Sequence, residues 1–133
     1  MFLALGILFL KASRPNYGGA KDNIPWRTNL ADALAESKKT GKPVLADFSA
    51  SWCGPCQEMK HSAWPDAKVE EAVKRDYIPV MLDVDRPEVE GPAQKYKVEY
   101  IPAVFILDGE GNVVKRGDYM SAGELLKFLT VRG

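Results

Sequence analysis

The chain has 133 residues, of which 46% are hydrophobic and 27% charged, and this composition fits one compact domain with its own core. Lysine plus arginine and aspartate plus glutamate number 18 each, so the formal net charge is zero. This balance argues against nucleic acid or an anionic membrane surface as the main partner, because no global basic field holds phosphate groups. Two cysteines are too few for a disulfide scaffold.

The N-terminus differs from the rest of the chain. An uninterrupted apolar run extends from Phe2 to Leu10 and is closed by Lys11. The run is too short to span a bilayer, which takes about 20 helical residues, and its length fits the hydrophobic part of a signal peptide. We expect an export signal. The stub of a longer anchor and an ordinary packed segment stay open, since no basic residue precedes the run and the cleavage site is poor.

Glycine and proline are frequent in residues 13–25, which predicts a linker. We therefore expect a signal or anchor-like segment with its linker at 1–25, and one folded domain at 26–133. Cleavage of residues 1–12 stays open. We expect membrane attachment only through the N-terminal segment, and only if that segment is not cleaved.

The first half of the domain has clear helix and strand signals. Asn29 is the predicted N-cap of a helix that ends at Gly41, a left-handed stop. The apolar run 44–50 is typical of a central parallel strand. The next helix is predicted to begin at Cys53 and to run towards His61, and Trp64-Pro65-Asp66 interrupts it because proline lacks the required donor.

The second half is predicted to complete a mixed sheet. Asp66 caps another helix, and 78–84 is a second strand that a right-handed crossover makes parallel to the first. Further elements are a short helix or turn at 87–96, a strand at 103–107, a hairpin turn at 108–112 with a return strand, and a final helix. Ser121 and Glu124 form the capping box of that last helix.

The two cysteines are the main chemical signal of the sequence. If Cys53 is a helix N-cap, Pro55 falls in the first turn, where its missing amide hydrogen costs nothing. The Cys56 amide and the positive end of the helix dipole then both stabilise a thiolate on Cys53. Thiol pKa values at such sites fall from about 8.5 towards about 7 or lower. We therefore expect Cys53 to attack and Cys56, one turn further and more buried, to resolve the mixed disulfide.

Asp47 is the second chemical signal, because it lies within the apolar strand that precedes the cysteines. A buried carboxyl group without a partner has a raised pKa, so it could take the proton of Cys56 as that thiol attacks. The alternative is a structural role, with Asp47 at a strand edge or held by a backbone amide.

Three segments together resemble the thioredoxin family over about residues 26–131. They are Trp52-Cys53-Gly54-Pro55-Cys56, Ala46-Asp47-Phe48 and Tyr100-Ile101-Pro102-Ala103. The resemblance implies a thioredoxin-like α/β fold, with a mixed central sheet flanked by helices in three layers. It also implies a cis peptide bond before Pro102, a loop beside the cysteines, and substrate pairing with the backbone of Ile101. The substrate-binding residues implied are Trp52, Gly54, Pro55, Ile101 and Pro102.

Within that family the chain resembles exported or membrane-tethered branches, such as the C-terminal domain of the transmembrane disulfide reductase and small secreted thioredoxin-like proteins. They share Trp26, the Gly41-Lys42-Pro43 segment and the broken helix. Two departures separate the chain from cytosolic thioredoxins, which usually have tryptophan at Ser49 and lysine at Met81. Without that lysine, the pKa of Asp47 depends more on desolvation.

The sequence therefore predicts a thiol–disulfide oxidoreductase that reduces protein disulfides outside the cytoplasm, without a cofactor. A Gly-Pro dipeptide between the cysteines resembles that of reductants, whose potentials are about −270 mV, rather than that of strong oxidants, at about −120 mV. Disulfide-containing proteins are the expected substrates, and a membrane-bound donor is the expected electron source in a periplasmic or other extracytoplasmic compartment. A disulfide oxidase or isomerase using the same site, and a cytoplasmic location, are the alternatives.

Two other uses of the cysteine pair are weaker. A zinc site needs three or four protein ligands, and His61 is the only further soft ligand in the sequence. A structural disulfide in a redox-inert binding domain would close a tiny loop and restrain the unfolded chain little. Such a bridge would also be exposed at a helix start, where bridges are labile.

Overall fold

The computed structural model describes residues 21–131, so the predicted signal or anchor segment and residues 13–20 of the linker lie outside the described residues. The elements in chain order are α1 Leu30–Thr40, β1 Val44–Ser49, α2 Gly54–Glu58, a π-helix Met59–Ala63, α3 Ala67–Asp76, β2 Ile78–Asp83, a 3-10 helix Pro87–Val89, α4 Glu90–Lys95, β3 Ala103–Leu107, β4 Val113–Gly117 and α5 Ala122–Thr130. No helix within residues 21–131 is both long and apolar enough to cross a membrane.

The four strands form one mixed sheet in the order β2-β1-β3-β4. β1 is parallel to β2, with Val44 opposite Ile78, and antiparallel to β3, with Val44 opposite Leu107. The pairing of β3 with β4 is also antiparallel. The predicted mixed sheet and parallel crossover are therefore confirmed.

Side chains on the two faces of β1 enter two separate cores. Leu45 packs with α3 and α5 through residues such as Val69 and Leu125. Phe48, on the opposite face, packs with Ala33 of α1 and other residues on that side of the sheet. Because strand side chains alternate between faces, helices cover both sides and the domain has three layers.

Local capping signals hold the helix ends where they were predicted. The Asn29 side chain accepts from the Asp32 amide, and Gly41 has a φ of 78° in the left-handed region. Asp66 caps α3 through the amides of two residues, and both halves of the Ser121–Glu124 capping box are present. These contacts satisfy backbone groups that a helix leaves open at its ends.

The helix that begins after Cys53 changes geometry before it ends. It is α-helical only to Glu58, and Met59–Ala63 form a π-helix. The amide of Trp64 accordingly donates to the carbonyl of Met59, five residues earlier, at 2.9 Å. The sequence predicts the interruption at Trp64-Pro65-Asp66 correctly but not this turn.

Packing begins before the predicted domain boundary. Ile24 is buried in the core, although it was assigned to the linker. Arg27 then forms a parallel bridge to Val80, and its backbone exchanges hydrogen bonds with Pro79 and Met81 at 2.9 and 2.8 Å. The segment at 22–25 therefore packs as part of the domain, and the predicted signal or anchor-like segment stays a prediction.

Candidate active site

Cys53 occupies the N-cap of α2, as its spacing from Pro55 predicts. The amide of Cys56 donates to the sulfur of Cys53 at 3.3 Å, and Pro55 lies in the first turn. The two sulfurs are joined as a disulfide, with the Cα atoms 5.3 Å apart. In the reduced pair, the same amide and the helix dipole would stabilise negative charge on the Cys53 sulfur.

The disulfide is more buried than the sequence suggests for a bridge at a helix start. Cys53 is 5% exposed and Cys56 is 2% exposed. They pack with Ala50, and with Val84 and Ile101 at the rim. The expectation of an exposed bridge is therefore wrong, because the β1–α2 loop and the loop before β3 both cover it.

The loop before β3 lies directly beside Cys53. The peptide bond between Ile101 and Pro102 is cis. The Ile101 carbonyl oxygen lies 3.6 Å from the Cys53 sulfur, so a thiol at Cys53 could donate to it. Pro102 itself is buried, which leaves the Ile101 backbone as the part of the loop that faces the cysteine.

A groove of about 490 Å³ opens in front of Cys53. It is lined by Trp52, Cys53, Gly54, Pro55, Val84, Ala93, Val98, Glu99, Tyr100 and Ile101. Trp52 is 68% exposed and Tyr100 is 62% exposed, so two aromatic rings present apolar surface to solvent at its rim. Of the predicted substrate-binding residues, the groove brings together all but Pro102.

The indole of Trp52 is fixed by a residue that the sequence analysis did not select. Its Nε1–H donates to both carboxylate oxygens of Asp85, at 3.0 and 2.9 Å. Asp85 follows β2 and lies 33 residues from Trp52 in the sequence. The two residues are far apart in the sequence. The only available signal was the predicted sheet, in which the carboxyl ends of β1 and β2 are neighbours.

Asp47 is buried in the middle of the sheet, at 2% exposure. Its Oδ2 accepts a hydrogen bond from Nε1–H of Trp64 at 3.2 Å, and its Oδ1 has no hydrogen-bond partner among the described residues. β1 lies between β2 and β3, so Asp47 is not at a strand edge.

The pKa of Asp47 is raised from an ordinary 3.8 to about 7, with burial as the main cause. The hydrogen bond from Trp64 and the charge of Lys60 lower this pKa, while the charge of Asp22 raises it. Met81 pairs with Asp47 across the sheet and supplies no charge. Desolvation therefore dominates the pKa, as predicted, but Trp64 and Lys60 were not predicted to act on it.

Within residues 21–131, no three or more histidine, cysteine, aspartate or glutamate side chains are grouped to hold a metal ion. His61 lies on the π-helix, in the turn after the cysteine helix.

A family model described as thioredoxin-like matches residues 25–109. The chain belongs to this thioredoxin-like family. Among its relatives, a thioredoxin H-type of Fagopyrum esculentum is 34% identical over 100 residues, which cover 75% of this chain and 80% of that protein. The thioredoxin-like chloroplastic protein HCF164 of Oryza sativa subsp. japonica is 38% identical, over 74% of this chain and 36% of that protein.

A third relative is the thiol:disulfide interchange protein DsbD of Ralstonia nicotianae, 31% identical over 64% of this chain and 14% of that protein. The chain also spans 58% of a thioredoxin H-type of Oryza sativa subsp. indica. It therefore covers only part of several curated relatives that it matches. The family-model match at residues 25–109 includes both cysteines.

Solved structures support the fold assignment. A thioredoxin from Thermus thermophilus superposes with a TM-score of 0.71 at 25% identity, covering 80% of this chain and 84% of that chain. The DsbH oxidoreductase superposes with a TM-score of 0.72 at 22% identity, covering 91% and 96% of the two chains. The thioredoxin-like fold predicted from the sequence is confirmed. Cys53 and Cys56 form the Cys-x-x-Cys pair of a thioredoxin-like thiol–disulfide oxidoreductase domain.

Proposed function

We propose that this domain reduces disulfide bonds in client proteins, with Cys53 as the attacking thiol. The observation that carries the proposal is the position of Cys53: its sulfur accepts the Cys56 amide at a helix N-terminus and opens onto an apolar groove. A thiolate is stabilised there, and an extended segment of a client has surface to lie on.

The reaction proceeds in two exchanges. The Cys53 thiolate attacks one sulfur of the client disulfide, which forms a mixed disulfide and releases the first client thiolate. Cys56 then attacks the Cys53 sulfur, gives up its proton, and releases the second client thiolate as the Cys53–Cys56 disulfide forms. Asp47 is the proposed acceptor of the Cys56 proton, because a carboxyl group with a pKa of about 7 exchanges protons readily near neutral pH.

The groove positions the client beside the sulfur. Trp52, Gly54 and Pro55 line the groove beside Cys53, and Tyr100 and Ile101 line it from the loop before β3. The backbone of Ile101 would pair with an extended client segment, which gives affinity without a strict sequence requirement.

Reduction is the proposed direction, and a compartment outside the cytoplasm is the proposed location. The Gly54-Pro55 dipeptide supports a low reduction potential, and the apolar run at 2–10 supports export. The likeness to a thiol:disulfide interchange protein supports exchange with a second redox protein. In an oxidising compartment the Cys53–Cys56 disulfide must be reduced again after each turnover. We propose that a membrane-bound dithiol protein supplies the electrons.

Two measurements test the proposal. The Cys53–Cys56 pair is equilibrated with glutathione, and we expect a reduction potential of about −270 mV. Disulfide isomerases have potentials of about −180 mV. A value above that would mean that the pair oxidises or isomerises client disulfides and does not reduce them.

Trapping tests the order of attack. The Cys56→Ser variant should accumulate mixed disulfides with clients, because the resolving thiol is absent. The matched Cys53→Ser variant retains a single thiol in the more buried position and should trap none. Equal trapping by the two variants would refute the assignment of Cys53 as the nucleophile.

A further inference from the structure

An indole N–H reaches the proposed proton acceptor from the opposite end of the cysteine-bearing helical segment. Trp64 is fully buried, at 0% exposure, and its Nε1–H lies 3.2 Å from Oδ2 of Asp47. The second oxygen, Oδ1, accepts no hydrogen bond from any described residue. The two oxygens of this carboxyl group are therefore unlike: one is anchored and the other keeps its lone pairs free.

The π-helix orients the Trp64 side chain towards β1, where Asp47 lies. One extra residue in a helical turn rotates everything after it by about 100°, the angle between successive residues of an α-helix. With Met59–Ala63 wound as a π-helix, Trp64 points into the core, where its ring packs edge-on against Trp26 with the centroids 4.9 Å apart. An uninterrupted α-helix would turn residue 64 away from this direction, so the unusual turn and the hydrogen bond belong together.

We propose that Trp64 is a positioning residue for proton transfer: its indole holds Oδ2 of Asp47, so that Oδ1 is the oxygen that receives the proton of Cys56. The proposal rests on the proposed function. In the step, the S–H bond of Cys56 breaks, its proton goes to Oδ1, and its electron pair forms the bond to the Cys53 sulfur. The client sulfur leaves with the electron pair of the mixed disulfide, so the step needs no further oxidant or reductant.

The charges that act on Asp47 come from two other elements. Lys60 on the π-helix favours the ionised carboxyl group, as the Trp64 hydrogen bond does, and Asp22 in the N-terminal segment opposes it. The strand neighbours Met81 and Val104 are uncharged. Removing the indole donor should therefore raise the pKa of Asp47, since the hydrogen bond stabilises the ionised form.

The first experiment compares Trp64→Phe with Trp26→Phe in the full chain. The control is matched, because Trp26 belongs to the same aromatic pair and its Nε1–H also donates to an aspartate, Asp22, at 3.0 Å. The readout is the pH dependence of disulfide closure in the reduced chain, with glutathione disulfide as the oxidant. We expect the midpoint to rise by about one pH unit in Trp64→Phe and to move much less in Trp26→Phe, because Asp22 acts on Asp47 only through its charge.

A double variant separates positioning from packing. In an Asp47→Asn background there is no carboxyl group to titrate, so Trp64→Phe should cause no further change in the pH profile. A shift that persists in this background, or an equal shift in Trp26→Phe, would overturn the proposal. A merely structural role would lower stability in both tryptophan variants and leave the midpoint unmoved.

A measurement on the unsubstituted chain keeps the proposal testable if Trp64→Phe does not fold. The indole N–H resonance of Trp64 should titrate with the Asp47 carboxyl group in the reduced protein, while that of Trp52 should not. A Trp64 resonance that is insensitive to this titration would refute the contact. If the contact is present but the chain exchanges no disulfides, the proposed function fails and the positioning role loses its reaction.

Discussion

Two tryptophans on opposite sides of the cysteine pair make the same contact in different surroundings. Trp52, at the rim of the groove, is 68% exposed and donates its indole N–H to Asp85 at 2.9 Å. Trp64, in the core, is 0% exposed and donates to Asp47 at 3.2 Å. In the open groove water competes for both partners, whereas in the core nothing does. The same two chemical groups are in contact in both places. Solvent access therefore decides how strongly an indole–carboxylate hydrogen bond affects its carboxylate.

The difference divides the site into two functional sides. On the groove side, an exposed polar contact contributes about 0–1 kcal/mol and orients a ring that a client can cover. On the core side, desolvation raises the pKa of Asp47 and so disfavours its ionised form. We therefore expect core-side changes to alter proton transfer and stability, and groove-side changes to alter client binding.

The largest expected effect is on stability as a function of pH. Because the pKa of Asp47 in the folded chain is about 7 against an ordinary 3.8, the folded state retains a proton that the unfolded state loses. This favours folding fully below about pH 4, and the advantage is lost as pH rises through 7. The loss corresponds to about 4 kcal/mol at one pKa unit per 1.36 kcal/mol, as an upper bound.

Urea unfolding of the oxidised chain at pH 4 and pH 8 measures that loss. The Asp47→Asn variant should remove most of the pH-dependent difference, because its side chain does not titrate. If the variant and the parent chain lose the same stability between the two pH values, burial of Asp47 is not the cause.

The next effect is on the rate of the second exchange. Asp47→Asn should slow release of the client from the mixed disulfide by about 100-fold at pH 7, the scale of general acid–base catalysis. Formation of the mixed disulfide by Cys53 should change much less. Stopped-flow kinetics with a single-disulfide client separates the two steps, and equal slowing of both would contradict a role specific to Cys56.

A smaller effect is expected on the groove side. Trp52→Ala should raise KM for a protein client about tenfold, because the variant removes exposed aromatic surface that binding would cover. The pH midpoint should not move, and the free energy of unfolding should stay within about 0.5 kcal/mol. A shifted pH profile in this variant would break the division between the two sides.

The smallest effect is expected for Asp85→Asn. The amide retains an acceptor for the indole of Trp52 and removes only an exposed charge, so KM should change by less than about threefold. The same client assay measures it, at low and high salt. A loss as large as that of Trp52→Ala would show that the Asp85 charge itself contacts the client.

Much of the fold was predictable because its signals are local. Asn29, Asp66 and Ser121 each cap the helix that directly follows them, within three residues of the amides they bind. Cys53 belongs to the same class, since its sulfur accepts the amide three residues ahead. For such contacts, spacing in the sequence already determines spacing in the structure.

The unpredicted parts of the site depend on contacts across the fold. Trp64 and Asp47 are 17 residues apart, and their contact requires a π-helix that has no simple residue signature. The contact of Trp52 with Asp85 requires the register of β1 against β2. Ile24 looked like a linker residue because one apolar side chain among glycines and prolines has no periodicity to reveal burial.

The backbone at Arg27 has a consequence for how copies of this molecule behave in a crowded solution. By pairing with Pro79 and Met81 it occupies the middle of the outer edge of β2, so another strand cannot pair along the full length of that edge. The opposite border is β4, where Val113 and Val114 are exposed and are followed directly by Lys115 and Arg116. Charged side chains on an edge strand disfavour its pairing with a strand of another copy, so we expect Lys115 and Arg116 to oppose strand-to-strand association at β4.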